Sequence, residues 1–158
     1  MSVEEQVDRF AHCVEAFVAS VSELDERLFL SNVGGWTPRD IVAHLIGWNR
    51  HIVEGARQIL RGELPFYDVD PGPNYSKVNA VLVRQYGDTV RSLLLDQLAE
   101  SAEELKAFLR AVDPGEWDRD FGVRHGGEQL TVKSTVDDLI TDYDHHRAQL
   151  EELRAGAA

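Results

Sequence analysis

Apolar residues recur at intervals of three and four in four long stretches of the chain, each bracketed by residues that start or stop helices. The first carries Val3, Val7, Phe10, Val14, Phe17, Val18, Val21 and Leu24, one face of a helix. Ser2 with Glu5 has capping-box spacing at its start, and the helix is expected to end before Ser31-Asn32-Val33-Gly34-Gly35. In the second, Thr37 is placed to cap and Pro38 to occupy the first helical position, where its missing N–H costs nothing. Its stripe is Ile41, Leu45, Trp48, Ile52, Ala56 and Ile59, and Gly62 and Pro65 end it. Pro65, Pro71, Gly72 and Pro73 then define a long loop.

The third stretch begins at about Tyr75, weakens at Gly87-Asp88-Thr89, resumes through Val90, Leu93, Leu94, Leu98, Leu105, Phe108 and Leu109, and stops at Pro114-Gly115. A kink or break is expected at Gly87. Between Trp117 and Val132 the Gly126-Gly127 pair separates two short runs, predicting a small hairpin or ordered loop. Ser134 with Asp137 is read as the cap of the last helix, which carries Val136, Leu139, Ile140, Tyr143, Leu150 and Leu153. The pattern predicts an all-α four-helix bundle in a single domain, residues 1–154, followed by a disordered tail, 155–158. The long connections leave the order of the helices open.

Composition narrows the function classes. The chain has 158 residues, enough for one self-sufficient core. With one cysteine, Cys13, neither an intrachain disulfide nor a Cys-based zinc cage is available, and a cytoplasmic location is expected. Cys13 reads as a small buried hydrophobe. The N-terminus is acidic where a secretory signal would be basic, and no run approaches a membrane span, so neither export by that route nor membrane insertion is expected. The formal net charge of −12 repels phosphate backbones, so no nucleic-acid partner is expected. No nucleophile elbow, phosphate loop or glycosidase carboxylate pair stands out.

The chemistry left to consider lies in the histidines. At about 100° per residue, His146 falls near the apolar stripe of the last helix and His145 points away to solvent. Asp142 stands one turn before His146, a spacing at which both side chains can reach one ion. His44 lies at the edge of the second helix's stripe, and facing helices supply ligands in this way in bundle metal sites. An Asp carboxylate and imidazoles are ordinary ligands of divalent transition metals. The same pattern also fits hydrogen-bonded packing histidines and a solvated acidic helix face. His51, about 10.5 Å further along the helix than His44, cannot share its ion. It is a candidate pocket residue with Trp48 and Tyr143. Trp36, Trp48 and Trp117 also fit packing roles, and the remaining acids of 96–104 and 137–144 read as solvated faces.

The run Trp36-Thr37-Pro38-Arg39-Asp40-Ile41-Val42-Ala43-His44-Leu45-Ile46-Gly47-Trp48 resembles the second-helix signature of the DinB/YfiT-like superfamily. Asp142-Tyr143-Asp144-His145-His146-Arg147-Ala148-Gln149-Leu150 resembles its last-helix motif, and the resemblance extends over nearly the whole chain. It implies a bundle that is not simple up-down, frequent homodimers, and a divalent ion (Zn, Ni, Fe or Mn) on His44, Asp142 and His146 with an open position facing a pocket. The departure is Asp142, where the family more often has histidine. The resemblance also implies thiol-dependent transferases and isomerases using low-molecular-weight thiols. Tyr75-Ser76-Lys77-Val78-Asn79, Gln85-Tyr86 and Asp142-Tyr143 are similar to a branch that confers self-resistance to colibactin.

Two functions follow as expectations. One is a metal-dependent transferase or hydrolase that directs a thiol or water at an electrophilic small molecule. The other is a non-catalytic small-molecule binding or sequestration protein without bound metal.

Overall fold

Capping chemistry sets where the helices begin. In the computed structural model, which describes residues 1–157, α1 (Val3–Ser22) starts on the expected reciprocal pair: the Glu5 N–H donates to Ser2 Oγ and the Ser2 N–H to Glu5 Oε2. The stretch ends sooner than its periodicity suggests. Asp25 Oδ1 accepts from the Leu28 N–H at 2.8 Å and starts a separate short helix, α2 (Glu26–Phe29), which turns Leu28 and Phe29 into the core. Thr37 and Asp40 close the box that begins α3 (Pro38–Leu60).

The third stretch divides at Gly87 into α4 (Ser76–Tyr86) and α5 (Arg91–Ala111), and α6 (Pro114–Trp117) is a single turn beyond. The expected hairpin is present: β1 (Arg124–His125) pairs antiparallel with β2 (Glu128–Gln129). Gly126 and Gly127 both have positive φ, as a tight two-residue hairpin turn requires. α7 (Val132–Gly156) begins earlier than Ser134 suggested. Thr131 is the cap and Ser134 its partner three residues on, each side-chain oxygen accepting from the other's backbone N–H. Asp137 instead takes bonds from Gln6 and Lys133. The helix continues through Ala155 and Gly156, expected as tail; Ala158 lies outside the described residues.

α1, α3, α5 and α7 form the bundle. α1 and α3 each pack against both α5 and α7, so the successive long helices α1 and α3 lie diagonally, as do α5 and α7. The order is not simple up-down. α4 lies outside on α3, where Gly47 lets the two helices close in: a Cβ there would meet Leu82 Cδ2 at 2.4 Å.

Two buried polar chains register the helices. The Tyr143 hydroxyl donates to Asn49 Oδ1 (2.8 Å), Asn49 Nδ2 to Ser101 Oγ (3.0 Å), and Ser101 Oγ to the Leu98 carbonyl, linking α7, α3 and α5. Gln6 accepts from Trp117 Nε1 and donates to the Lys133 carbonyl and Asp137, tying α1 to α6 and α7. Every donor in these chains has an acceptor, so the networks specify one packing without leaving a buried polar group bare. Among the described residues no helix is long and apolar enough to cross a membrane.

Candidate metal centre

His44 sits midway through the first half of α3, buried to 2% exposure. Its Nδ1 is 2.7 Å from the Ile41 carbonyl. A carbonyl oxygen can only accept, so a proton resides on Nδ1 and Nε2 is left to meet the facing helix. Nε2 lies 3.3 Å from Asp142 Oδ2, within hydrogen-bond distance. Burial, partly opposed by Asp142, pulls the His44 pKa below its ordinary value and favours the neutral form.

His146 repeats the arrangement on α7. Its Nδ1 lies 2.7 Å from Gln149 Oε1, and its Nε2 lies 3.3 Å from Asp142 Oδ1. Asp142 thus spans the two rings, one oxygen to each. Burial pushes its carboxyl up, but the bonds to His146 and His44 outweigh this and hold it well below the ordinary carboxylate range. The three ligand atoms lie within 4.8 Å of one another. With Nδ1 of each ring committed to an oxygen acceptor, both Nε2 atoms converge on the carboxylate, an arrangement that calls for a proton or a metal ion between Nε2 and the Asp142 oxygens. The donor set fits a divalent transition metal. Ile41 and Gln149 fix both ring orientations as the outer partners of metal-binding histidines do.

The surroundings are apolar on one side and open on the other. Trp36, positioned by a bridge to Val33, meets His44 edge-on at 4.7 Å and stacks over His146 at 6.4 Å. The Asp142 side chain, 40% exposed, faces a pocket of about 510 Å³ that runs from the centre past Trp48 and Ile52 to Tyr67, Asp68 and Tyr75.

The sequence matches the DinB superfamily over residues 2–150. This chain belongs to the DinB superfamily. No curated protein sequence matches it. Solved structures with the same fold include a Streptococcus pneumoniae protein (12% identity, TM-score 0.79, covering 98% of this chain and 91% of that one). Another is the colibactin self-resistance protein ClbS in complex with dsDNA (17% identity, TM-score 0.78, 98% and 96%). A third is the mycothiol-dependent maleylpyruvate isomerase (16% identity, TM-score 0.75, 95% of this chain and 61% of that one). At these identities the likeness is one of fold.

Within this DinB fold the structure brings His44, Asp142 and His146 together and separates the other candidates. Trp48 lines the pocket, its Nε1 donating to Asn79 Oδ1 at 2.7 Å. His51 does not: it packs behind Trp48 against Phe66 and Tyr67. Tyr143 is a core residue instead of a pocket residue. It is fully buried, edge-on to Phe10 and Phe17, and its hydroxyl points to Asn49. One residue past Asp142 is about 100° around the helix, enough to move a side chain from the pocket to the α1 interface. His145 is exposed as expected, at the pocket's mouth.

Asp138, Asp68, Tyr67 and Trp36 also line the pocket, and no apolar periodicity singles them out for it. By pattern alone Asp138 reads as one of the solvated acids of 137–144. Its position one turn before Asp142, with Thr135 one turn earlier still, was the available signal.

Proposed function

We propose that this protein is a metal-dependent enzyme that directs a thiol or water at an electrophilic small molecule bound in the pocket beside Asp142. The observation that carries this reading is the convergence of His44 Nε2 and His146 Nε2 on the Asp142 carboxylate at the wall of an open cavity. A divalent ion such as Zn, Ni, Fe or Mn, when bound there, supplies Lewis acidity that lowers the pKa of a thiol or water. The protein's own part is to hold three ligands on two helices, with the Ile41 carbonyl and Gln149 fixing the ring orientations. Trp36 covers the histidines on one side and leaves the other free for a reactant. Trp48 and Ile52 line the path inward and exclude water from the reacting groups.

A low-molecular-weight thiol as co-substrate is consistent with the mycothiol dependence of one structural relative. Cys13 does not supply the nucleophile: it is buried, and burial pushes its thiol up to about 12. One relative was solved with dsDNA. Here a net charge of −12 and a pocket wall with three aspartates and neither Lys nor Arg oppose a phosphate backbone and favour a small molecule. The competing reading is a sequestration protein without metal, in which one proton on an imidazole takes the cation's place between Nε2 and Asp142.

Loading the purified protein with each metal in turn, removing the excess and measuring bound metal separates the two. Stoichiometric metal, lost in His44→Ala and Asp142→Ala, together with metal-dependent consumption of thiol in the presence of an electrophile such as monobromobimane, is the expected result. Less than stoichiometric metal in the unmodified protein overturns the enzyme reading.

A further inference from the structure

The end of the pocket away from the metal centre carries polar groups that the centre does not use. Asp68 is buried, its side chain 4% exposed, and its Oδ1 accepts from the Tyr75 hydroxyl at 2.6 Å. Asp138, solvent-exposed at the pocket wall, leaves α7 one turn before Asp142, about 6 Å along the helix axis. Burial first, then the charges of Asp137 and Asp68, pushes its carboxyl up. No Lys or Arg is among the residues lining the pocket; the nearest group able to carry positive charge is His125, whose Nε2 is 3.9 Å from Asp68 Oδ1. A buried carboxylate with a second carboxylate on the same pocket wall favours a cation between them.

Tyr67 adds an independent observation. It is 6% exposed, its hydroxyl has no hydrogen-bond partner, and it lies among Asp68, Tyr75, Asp138 and Thr135. Buried side-chain hydroxyls are seldom left bare, and one at a pocket wall marks a place for a ligand atom. Gly55 makes room for it, since a Cβ there would come within 2.6 Å of the Tyr67 oxygen. The walls are aromatic: Trp48 meets Tyr67 at 5.0 Å and Tyr75 at 5.5 Å, both nearly perpendicular. Asn74 and Tyr75 adopt positive φ (52° and 60°), a costly backbone for non-glycine residues. That backbone sets the Tyr75 hydroxyl on Asp68.

We propose that this end of the pocket is a subsite for an organic ammonium group of the substrate, held by Asp68 and Asp138 with the Tyr67 oxygen as a further acceptor. Aromatic rings beside carboxylates suit an organic cation, which gains from ring faces as well as from charge. A hard divalent ion would instead need six or more oxygens. The inference rests on the reading of this pocket as the substrate site. It narrows the substrate to a cationic amine whose reacting atom lies about one helical turn from the nitrogen, beside Asp142.

The test uses the full chain, metal-free and zinc-loaded, with benzylamine (charged at neutral pH), benzyl alcohol and benzoate as probes followed by calorimetry or NMR shifts. In the metal-free protein benzylammonium is expected to bind at least about tenfold more tightly than benzyl alcohol, with benzoate showing no binding. Asp138→Asn should weaken benzylammonium by about tenfold and leave benzyl alcohol unchanged. Tyr67→Phe should weaken it by a smaller factor, and carries the same comparison if the Asn variant does not fold. Equal binding of the charged and neutral probes, an unaltered benzylammonium affinity in both variants, or Mg²⁺ binding that depends on Asp138 while benzylammonium does not bind would overturn the subsite. Because the metal-free protein should already discriminate, a failure to bind metal leaves this result standing, and a metal-free protein that does not discriminate refutes the subsite while leaving stoichiometric zinc binding untouched.

Discussion

Gln149 touches no bound species in the proposed site, yet its side chain sets what His146 can do. Gln149 Oε1 lies 2.7 Å from His146 Nδ1 and keeps the proton there, leaving Nε2 free to bind a metal. Gln149→Leu removes the acceptor, so His146 can move its proton to Nε2 or rotate. Loss of such an outer partner typically lowers metal affinity about 10–100-fold. With zinc at about 100 times the wild-type Kd, metal binding stabilises the folded chain by about 2.7 kcal/mol. At the same zinc concentration the Leu variant retains about 0.4–1.4 kcal/mol. For a chain of this size the lost increment corresponds to about 3–9 °C in Tm.

The assay is thermal unfolding with and without zinc for wild type, Gln149→Leu and Gln149→Glu, which restores an acceptor. His145→Ala serves as a control for adventitious binding at the exposed histidine beside the site. The expected pattern is a full zinc-induced shift in wild type, the Glu variant and the His145 control, and a diminished shift in the Leu variant. Equal shifts in wild type and Gln149→Leu would refute the role given to Gln149. No shift in any of them would refute the metal centre itself.

Two further outcomes follow. Tyr143→Phe should cost about 1–3 kcal/mol by leaving Asn49 Oδ1 without its donor in the core. Its metal affinity should equal that of wild type; a loss of metal with unchanged stability in denaturant would return Tyr143 to the pocket. Cys13, with its thiol raised to about 12 by burial and by Asp144, binds its proton more tightly folded than unfolded. Stability from this group is therefore present below about pH 8.5, its unfolded value, and is lost as pH rises toward its folded pKa. Native protein at pH 8 should label with iodoacetamide only as fast as it opens, and rapid stoichiometric labelling would contradict the burial.

How much of this was legible in the sequence can be traced residue by residue. Ser2 with Glu5 and Thr37 with Asp40 named their helix starts because a cap involves neighbours within one turn. Thr131 with Ser134 and Ser134 with Asp137 satisfy the same capping spacing, and only the packing of Asp137 against Gln6 decides between them. The inward phase of His146 was legible for the same local reason, and the family resemblance in the second and last long helices placed His44 opposite it.

Helical periodicity by itself determined the all-α class, the four long apolar stripes, the break near Gly87 and the face on which His146 lies. These are local properties, fixed by backbone geometry within a few turns. Tertiary structure alone decided that α1 and α3 lie diagonally and that Tyr143 turns to Asn49 instead of the pocket. It also brought Asp68 and Tyr67, from the proline-rich loop, to face Asp138 on the last helix. Those side-chain pairings join residues from 70 to 94 positions apart, and no periodicity within one segment encodes which face of another it will meet.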